Sequence, residues 1–268
     1  MKTLFTTSFT LILCLTLHTV EAKTLCTLVS DPLNNTSIIQ EGQCDEQVTP
    51  ASTFKLVLSL IGFDSGYLIN KDTPALPYLA SYAAEIESWK QTTTPSLWMA
   101  NSVVWYSQQL TQWLGQKQFT YYVNQFQYGN QDLSGDAGKN NGLTHAWLSS
   151  SLKISPLEQL SFLKKLVTRQ LKVSDTAYEQ TEQLTLITTL DNGWEIHGKT
   201  GSGRFPSLPE NSTNAVNLGW FIGWAIKDAK VIIFVHNLIQ DNEHPPVSAG
   251  MTAKKEMMLL LPTILQTL

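Results

Sequence analysis

The chain has 268 residues, of which 43% are hydrophobic and 15% charged, and its formal net charge at pH 7 is −4. A slightly negative and dispersed charge excludes the basic surface that nucleic acids or anionic membranes require. The length suffices for one large hydrophobic core or for two interlocked subdomains.

The first 22 residues have the pattern of a secretory signal peptide. A charged start at Lys2 precedes an apolar run over residues 11–17, and small residues suit cleavage after Ala22. The alternative is a membrane anchor, but the run is shorter than the roughly 20 residues that span a bilayer. Because no later segment is long and apolar enough, we expect removal of residues 1–22, with a single domain over residues 23–268 and no stable membrane association.

Two cysteines, Cys26 and Cys44, remain in the mature chain, because Cys14 lies in the predicted signal peptide. Cys26 is in the first strand of a predicted hairpin (residues 25–30 and 36–40), and Cys44 follows the second strand. Cysteines of a secreted chain usually pair, and antiparallel strands can place two of them opposite each other. We therefore predict a disulfide between them.

A serine and a lysine one helical turn apart open the first predicted helix, in the stretch Ser52-Thr53-Phe54-Lys55. This spacing brings the hydroxyl and the amine to one face, where they can share a hydrogen bond. Serine becomes a good nucleophile only beside a base, and lysine acts as that base only where its surroundings disfavour its charge. Residues 56–63 are almost entirely apolar, so a lysine there is paired, neutral or chemically modified. The alternative is a helix N-terminus with a solvated lysine.

The remaining pattern is helical in the middle of the chain and β at both ends. Predicted helices cover residues 79–89, 102–114, 119–126, 156–170 and 175–181, with an irregular loop at 132–141. Predicted strands cover residues 182–189, 194–200, 217–226 and 231–237, and a closing helix starts at Thr252, bent or ended by Pro262. This order predicts an α+β fold, in which an antiparallel sheet from both chain ends (about 23–76 and 182–268) holds an inserted helical region (about 77–181).

Three further short motifs follow the Ser-x-x-Lys pair at wide separations. They are Ser102-Val103-Val104 in an apolar segment, Tyr128-Gly129-Asn130 at a turn, and Lys199-Thr200-Gly201 on a predicted strand. Glycines around the third motif keep the strand edge open to a ligand, and a lysine with a threonine hydroxyl suits a carboxylate. An ordinary exit from a strand into a turn is the alternative for the third motif.

In this order and at these separations, the four motifs resemble those of the class D (oxacillinase-type) serine β-lactamases. Trp147-Leu148, followed by residues 151–155, is similar to the segment that holds the active-site tryptophan of that family. The resemblance implies the β-lactamase/penicillin-binding transpeptidase-like fold. It also implies hydrolysis of the β-lactam amide of penicillin-type antibiotics in the bacterial periplasm, with antibiotic resistance as the result and a small β-lactam molecule as the partner.

The resemblance implies three catalytic residues. Ser52 is the nucleophile, and Lys55 is the general base after its neutral amine has reacted with carbon dioxide to give N6-carboxylysine. Ser102 relays a proton to the lactam nitrogen. The backbone N–H groups of Ser52 and Ser202 stabilise the oxyanion. Because the histidines have no metal-ligand spacing, we expect no metal and no cofactor besides carbon dioxide.

A dry pocket around the lysine is also implied by the resemblance. Phe54, Val104 and Trp147 match the family positions that line it, and the indole N–H of Trp147 can donate to the carbamate. Plain core packing is the alternative for Trp147. Tyr128 and Asn130 are interpreted as residues that shape the cleft.

The substrate-binding residues implied by the resemblance are Lys199, Thr200, Gly201 and Ser202, with Lys199 and Thr200 directed to the substrate carboxylate. One departure concerns this subsite. Many class D enzymes hold the carboxylate with an arginine shortly before the last helix, where this chain has Ala249. Arg204 is a candidate substitute, and an ordinary surface arginine is the alternative.

The base that activates water separates a β-lactamase from its relatives. Glu158 superficially resembles the loop glutamate of class A enzymes, but a solvated glutamate at a helix start explains it better. This leaves Lys55. The alternative function is a β-lactam-sensing or penicillin-binding domain that is acylated without turnover.

Overall fold

A computed structural model describes residues 22–205, 216–241 and 247–268. The predicted signal peptide lies outside the described residues except for Ala22, which begins the first strand. His244, one of the histidines without metal-ligand spacing, also lies outside the described residues. Among the described residues, no helix combines the length and the apolar character that a bilayer crossing requires.

Six antiparallel strands of the described residues form one sheet in the order β2-β1-β6-β5-β4-β3. They are β1 (Ala22–Asp31), β2 (Thr36–Gly42), β3 (Leu186–Thr189), β4 (Glu195–Arg204), β5 (Val216–Lys227) and β6 (Lys230–Asp241). β1 pairs with β6, so that Leu28 lies opposite Val235. The prediction of one sheet built from both chain ends is confirmed.

In the described parts of the chain, seven α-helices surround the sheet. They are α1 (Lys55–Asp64), α2 (Pro95–Asn101), α3 (Val104–Phe126), α4 (Gly142–His145), α5 (Pro156–Val167), α6 (Asp175–Thr185) and α7 (Ala249–Gln266). A 3-10 turn, Ala51–Phe54, precedes α1.

The sheet has a hydrophobic cluster on each face. α7 packs on one face through Ala253, Met257 and Leu261, which meet Ile196 and Phe221 of the sheet. On the other face, α1 and the helical region form the larger cluster. Because alternate residues of a strand point to opposite faces, the predominantly apolar β5–β6 hairpin supplies both clusters. α1 is thereby enclosed, and every residue from Lys55 to Phe63 is buried.

The helix predicted over residues 79–89 is wrong, because only a short 3-10 helix, Glu87–Trp89, forms there. Its aromatic residues pack individually instead of along one helical stripe: Tyr82 stacks on Trp105, with ring centroids 5.0 Å apart. Leu79 stays exposed. The apolar residues of this segment are spaced roughly as in a helix, but the segment is irregular and each residue makes its own packing contact.

Other predicted boundaries shift for local reasons. Residues 182–185 continue α6, where the Thr185 hydroxyl donates to the Thr181 carbonyl (2.9 Å), so the strand begins only at Leu186. Pro262 does not end α7, which continues to Gln266. Leu261 and Ile264, on either side of the proline, are buried against the sheet and hold the helix in place.

The predicted disulfide is present. Cys26 and Cys44 are bonded, with their Cα atoms 5.2 Å apart and a sequence separation of 18 residues. A loop of this length restricts the unfolded chain enough to stabilise the fold by about 3 kcal/mol.

We expect the double variant Cys26→Ala/Cys44→Ala to lose about 3 kcal/mol in free energy of unfolding, because the cross-link no longer restricts the unfolded chain. Urea unfolding with and without reductant measures this. Reductant should destabilise the parent protein and leave the variant unchanged. Equal stability of parent and variant under oxidising conditions would contradict the expectation.

Candidate active site

Ser52 and Lys55 lie at the junction of the 3-10 turn and α1. Ser52 is in the turn, and Lys55 is the first residue of α1. The Lys55 Nζ donates to the Ser52 Oγ over 3.3 Å. The turn starts unusually, since Ala51 has a left-handed backbone with a φ of 48°. One helical turn thus aligns the two groups, as the spacing predicts.

Lys55 is fully buried, and Ser52 is its hydrogen-bond partner. Burial lowers the pKa of the Lys55 amine well below 10.5, and the nearby charge of Lys199 lowers it further. No carboxylate of the described residues offsets these effects. Because a neutral amine has a free lone pair, Lys55 can accept a proton or add to an electrophile.

Buried aromatic rings pack around Phe54. Its ring centroid lies 5.6 Å from that of Trp147, 5.3 Å from Tyr128 and 5.9 Å from Phe119. All four side chains are less than 2% exposed. Val104, at the start of α3, is partly buried against the same cluster. Phe119 is the member that the sequence analysis missed, because an aromatic residue in a helical pattern does not reveal what it faces.

Two predicted site residues have buried polar atoms without a hydrogen-bond partner among the described residues, the Ser102 Oγ and the Trp147 Nε1. Such atoms are rare, because a buried unpaired polar group costs about 1–3 kcal/mol. Trp147 is firmly held, since its carbonyl accepts from the Thr49 hydroxyl (2.9 Å). A hydroxyl and an indole N–H are therefore free to bind an additional oxygen-rich group.

Ser102 departs from its predicted place in a helix. It caps α2 in a left-handed conformation (φ 58°, ψ 35°), and α3 begins only at Val104. The Val103 N–H donates to the Trp98 carbonyl (3.1 Å) and fixes this break. The serine hydroxyl thus lies between two helices and does not follow the face of either one.

The Lys-Thr-Gly motif lies on β4, next to the turn that holds Ser52. A Cβ atom on Gly201 would lie 3.0 Å from the Pro50 carbonyl oxygen, and one on Gly203 would lie 2.8 Å from Thr49. Larger residues there would push the strand away from the turn. Glycine therefore allows the Lys199–Ser202 segment to lie against the turn that holds Ser52.

Lys199 is buried at the centre of β4, and burial, reinforced by the charge of Lys254, lowers its pKa to about 7. Its Nζ donates to the carbonyl oxygen of Thr200 (3.2 Å) and to the Thr200 hydroxyl (3.4 Å). At neutral pH the Lys199 amine is therefore close to its titration midpoint, and a nearby anion would draw it toward the charged form.

Tyr128 and Asn130 support the neighbouring loops. The Tyr128 hydroxyl donates to Gln159 (3.3 Å), and the Gln159 amide donates to the Thr53 hydroxyl (3.0 Å) inside the turn of Ser52. Asn130 donates to the Ser151 carbonyl (2.8 Å). These contacts agree with a role in shaping the cleft. Gln159, which links Tyr128 to the turn, is a further supporting residue that the sequence analysis missed.

Two other candidates lie apart from this cluster of groups. Arg204 is exposed and is five positions after Lys199 on β4, which places it roughly 16 Å along the strand and on the opposite face. Glu158 forms a capping box with Ser155 at the start of α5 and also accepts from Gln47 (2.8 Å). Glu158 therefore stabilises the start of α5, which agrees with its interpretation as a glutamate at a helix start.

No group of three or more His, Cys, Asp or Glu side chains within the described parts of the chain could hold a metal ion. The reactive groups described above are two serines, Ser52 and Ser102, and two lysines of lowered pKa, Lys55 and Lys199.

Comparisons with known proteins agree with this geometry. Residues 19–258 match the family model of the penicillin-binding protein transpeptidase domain. The chain is 40% identical to β-lactamase OXA-9 of Klebsiella pneumoniae over 91% of this chain and 90% of the relative. It is 38% identical to β-lactamase OXA-1 of Escherichia coli over 89% of this chain and 84% of the relative. The crystal structure of the class D β-lactamase OXA-427 superposes with a TM-score of 0.84 at 46% identity, covering 90% and 98% of the two chains.

The chain belongs to the class D β-lactamases. The predicted family, fold and enzyme class are confirmed. In this class D β-lactamase, the four motifs that carried the resemblance lie at the junction of the 3-10 turn with α1, at the α2–α3 junction, after α3 and on β4. The expected carboxylate-binding arginine is absent, and Ala249 begins α7 as a buried residue.

Proposed function

We propose that this class D β-lactamase hydrolyses the amide bond of penicillin-type antibiotics in the periplasm through a serine acyl-enzyme, with carboxylated Lys55 as the general base, and so confers antibiotic resistance. One observation carries the proposal: Lys55 is a buried amine beside the Ser52 hydroxyl, its pKa is lowered well below 10.5 by burial, and no carboxylate of the described residues counteracts this shift. A lowered pKa favours the neutral amine, which is the form that reacts with carbon dioxide.

The unpaired polar atoms support the modification. Reaction of the Lys55 amine with carbon dioxide forms one N–C bond and releases one proton, and it leaves a carboxylate on a previously neutral side chain. The Ser102 hydroxyl and the Trp147 indole N–H are suited to hold that carboxylate, since both lack partners in the described part of the chain. The aromatic cluster of Phe54, Phe119 and Trp147 excludes water, which keeps the amine from being protonated.

In acylation, carboxylated Lys55 takes the proton of Ser52, and the Ser52 Oγ attacks the lactam carbonyl carbon. The N–H groups of Ser52 and Ser202 stabilise the oxyanion. As the C–N bond of the lactam breaks, Ser102 delivers its proton to the departing nitrogen and receives in its place the proton that carboxylated Lys55 took from Ser52. Lys199 stabilises the electron density that develops on the nitrogen. Lys199 and Thr200 hold the substrate carboxylate.

In deacylation, Lys55 in its carboxylated form takes a proton from a water molecule, whose oxygen attacks the ester carbonyl of the acyl-enzyme. The Ser52–carbonyl bond then breaks and Ser52 recovers its proton. The product is the ring-opened acid. A single base thus serves both half-reactions, because the proton that it accepts in the first is passed on before the second begins.

Turnover of a chromogenic cephalosporin tests this function. We expect many product molecules for each enzyme molecule, and labelling with ¹³C-bicarbonate should give one carbamate resonance that is absent from Lys55→Ala. A single stoichiometric burst without turnover would instead indicate the sensing or penicillin-binding alternative. Full turnover by a protein without any carbamate resonance would refute the role given to Lys55.

A further inference from the structure

We propose that Lys254, on α7, is the cation that binds the carboxylate of the β-lactam substrate in this enzyme. The inference rests on the proposed function for its substrate. It concerns the subsite from which the expected arginine is missing. Ala249 carries no charge there, and Arg204 lies roughly 13 Å further along β4 than Thr200.

The first turn of α7 lies directly against the end of the Lys-Thr-Gly motif. The Gly250 N–H donates to the Ser202 Oγ over 3.0 Å. A Cβ atom on Gly250 would lie 2.5 Å from the Gly201 carbonyl oxygen. A side chain at this position would therefore separate the helix from β4, and glycine permits their contact.

α7 then runs back along β4. Ala253 and Met257 of the helix share a hydrophobic cluster with Ile196, which precedes the motif on the strand. Lys254 is one helical turn after Gly250, on the same side of the helix. Because helical side chains lean toward the N-terminus, the Lys254 stem extends back over the turn that contacts Gly201 and Ser202.

Thr200 lies on the strand face that α7 covers. Residues 200 and 202 point to the same side of β4, and the Ser202 hydroxyl already accepts from α7. The Thr200 hydroxyl also accepts from the Lys199 Nζ (3.4 Å). A carboxylate bound to this hydroxyl would thus lie between the amines of Lys199 and Lys254.

Among the described residues, Lys199 and Lys254 have no anionic partner. The charge of Lys254 contributes to the low pKa of Lys199, so the two amines repel each other when both are charged. Lys254 is half-buried, its own pKa is lowered by that burial, and neither an ion pair nor a hydrogen bond with a described residue opposes the shift. An anion between the two amines would relieve the repulsion and favour the charged form of both.

A lysine makes a different subsite from an arginine. Its ammonium is a point charge with rotatable donors, whereas a guanidinium binds a carboxylate through two parallel bonds. Lys254 would therefore attract the carboxylate without fixing the orientation of the carboxylate plane.

The test compares a penicillin with its carboxylate methyl ester in Lys254→Met and in the control Lys255→Met, whose parent lysine is exposed on the same helix. We expect Lys254→Met to lower kcat/KM for the free acid by roughly 10- to 100-fold, the effect of one charge-assisted hydrogen bond. Lys254→Met should leave kcat/KM for the ester unchanged. The control Lys255→Met should leave kcat/KM unchanged for both the acid and the ester. Lys254→Arg should restore most of the activity on the acid.

Equal losses on acid and ester would overturn the proposal, because they would reveal a structural role, and so would no loss on either compound. If Lys254→Met does not fold, the same comparison of acid and ester is made with Lys254→Gln, whose side chain keeps a polar end. Should the protein prove to acylate without turnover, the same comparison is made on the rate constant of acylation. The failure of the proposed function and the failure of the Lys254 subsite therefore give different results.

Discussion

Replacing Lys55 by methionine (Lys55→Met) is expected to lower turnover of a penicillin by about 100- to 10,000-fold, the usual contribution of a general base. The same variant should be more stable than the parent. A methionine fills nearly the same space without an amine, and burying an amine that makes a single hydrogen bond of 3.3 Å costs about 1–3 kcal/mol.

The stability gain should depend on pH in a defined direction. Burial lowers the pKa of Lys55 in the folded parent well below 10.5, whereas the unfolded chain binds a proton there up to about pH 10.5. Between these two pKa values the unfolded state binds one more proton, so the stability of the parent rises with pH. The advantage of Lys55→Met is therefore largest at low pH, and it shrinks by about 1.4 kcal/mol per pH unit.

Urea unfolding in buffers purged of carbon dioxide measures this difference, with the exposed Lys117 of α3 replaced by methionine as the control. The control curve should run parallel to that of the parent. If the Lys55→Met curve also runs parallel, or if this variant is the less stable protein at neutral pH, Lys55 is charged and paired in the folded state.

The second large effect is expected from Trp147→Phe. This change retains a ring against Phe54, with which Trp147 stacks at 5.6 Å, and removes the unpaired indole N–H. A hydrogen bond to a charged group contributes about 1.5–3 kcal/mol, so the carboxylated form of Lys55 should become roughly 10- to 100-fold less stable. Activity should fall accordingly in buffer depleted of carbon dioxide and recover when bicarbonate is added.

A matched control is Trp194→Phe, which changes a buried tryptophan of the opposite cluster, beside α7. It should retain activity that does not respond to bicarbonate. Titration of bicarbonate against the initial rate gives the affinity of each variant for carbon dioxide. A Trp147→Phe enzyme with the parent affinity would show that the indole N–H has no part in holding the carboxylate.

The sequence predicts the site well where chemistry depends on short spacing. Ser52 and Lys55 are one turn apart, and a hydroxyl–amine contact follows from helical geometry alone. The apolar residues after Lys55 likewise predict its burial. The α+β sheet is predictable because the β5–β6 hairpin is apolar on both faces and must lie in the middle of the sheet.

What the sequence does not predict depends on contacts between distant segments. The left-handed conformation of Ser102 results from the packing of two helices, and nothing in Ser-Val-Val marks a helix break. Lys254 is one of two adjacent lysines in an amphipathic helix, and only the contact of Gly250 with β4 distinguishes it from Lys255. Irregular residues 79–86 resemble a helix because their aromatic side chains are spaced by tertiary packing.

The pairing of β1 with β6 has a consequence for how the enzyme is made. Leu28 and Val235 can meet only after almost the entire polypeptide has been synthesised, so closure of a large chain loop must precede the stabilising contacts. A chain in which β6 has not yet paired leaves the first hairpin with an open hydrogen-bonding edge, which can add a strand from another molecule. Folding intermediates that lack β6 are therefore the species most prone to aggregate, and a chaperone that shields this edge should raise the yield of active enzyme.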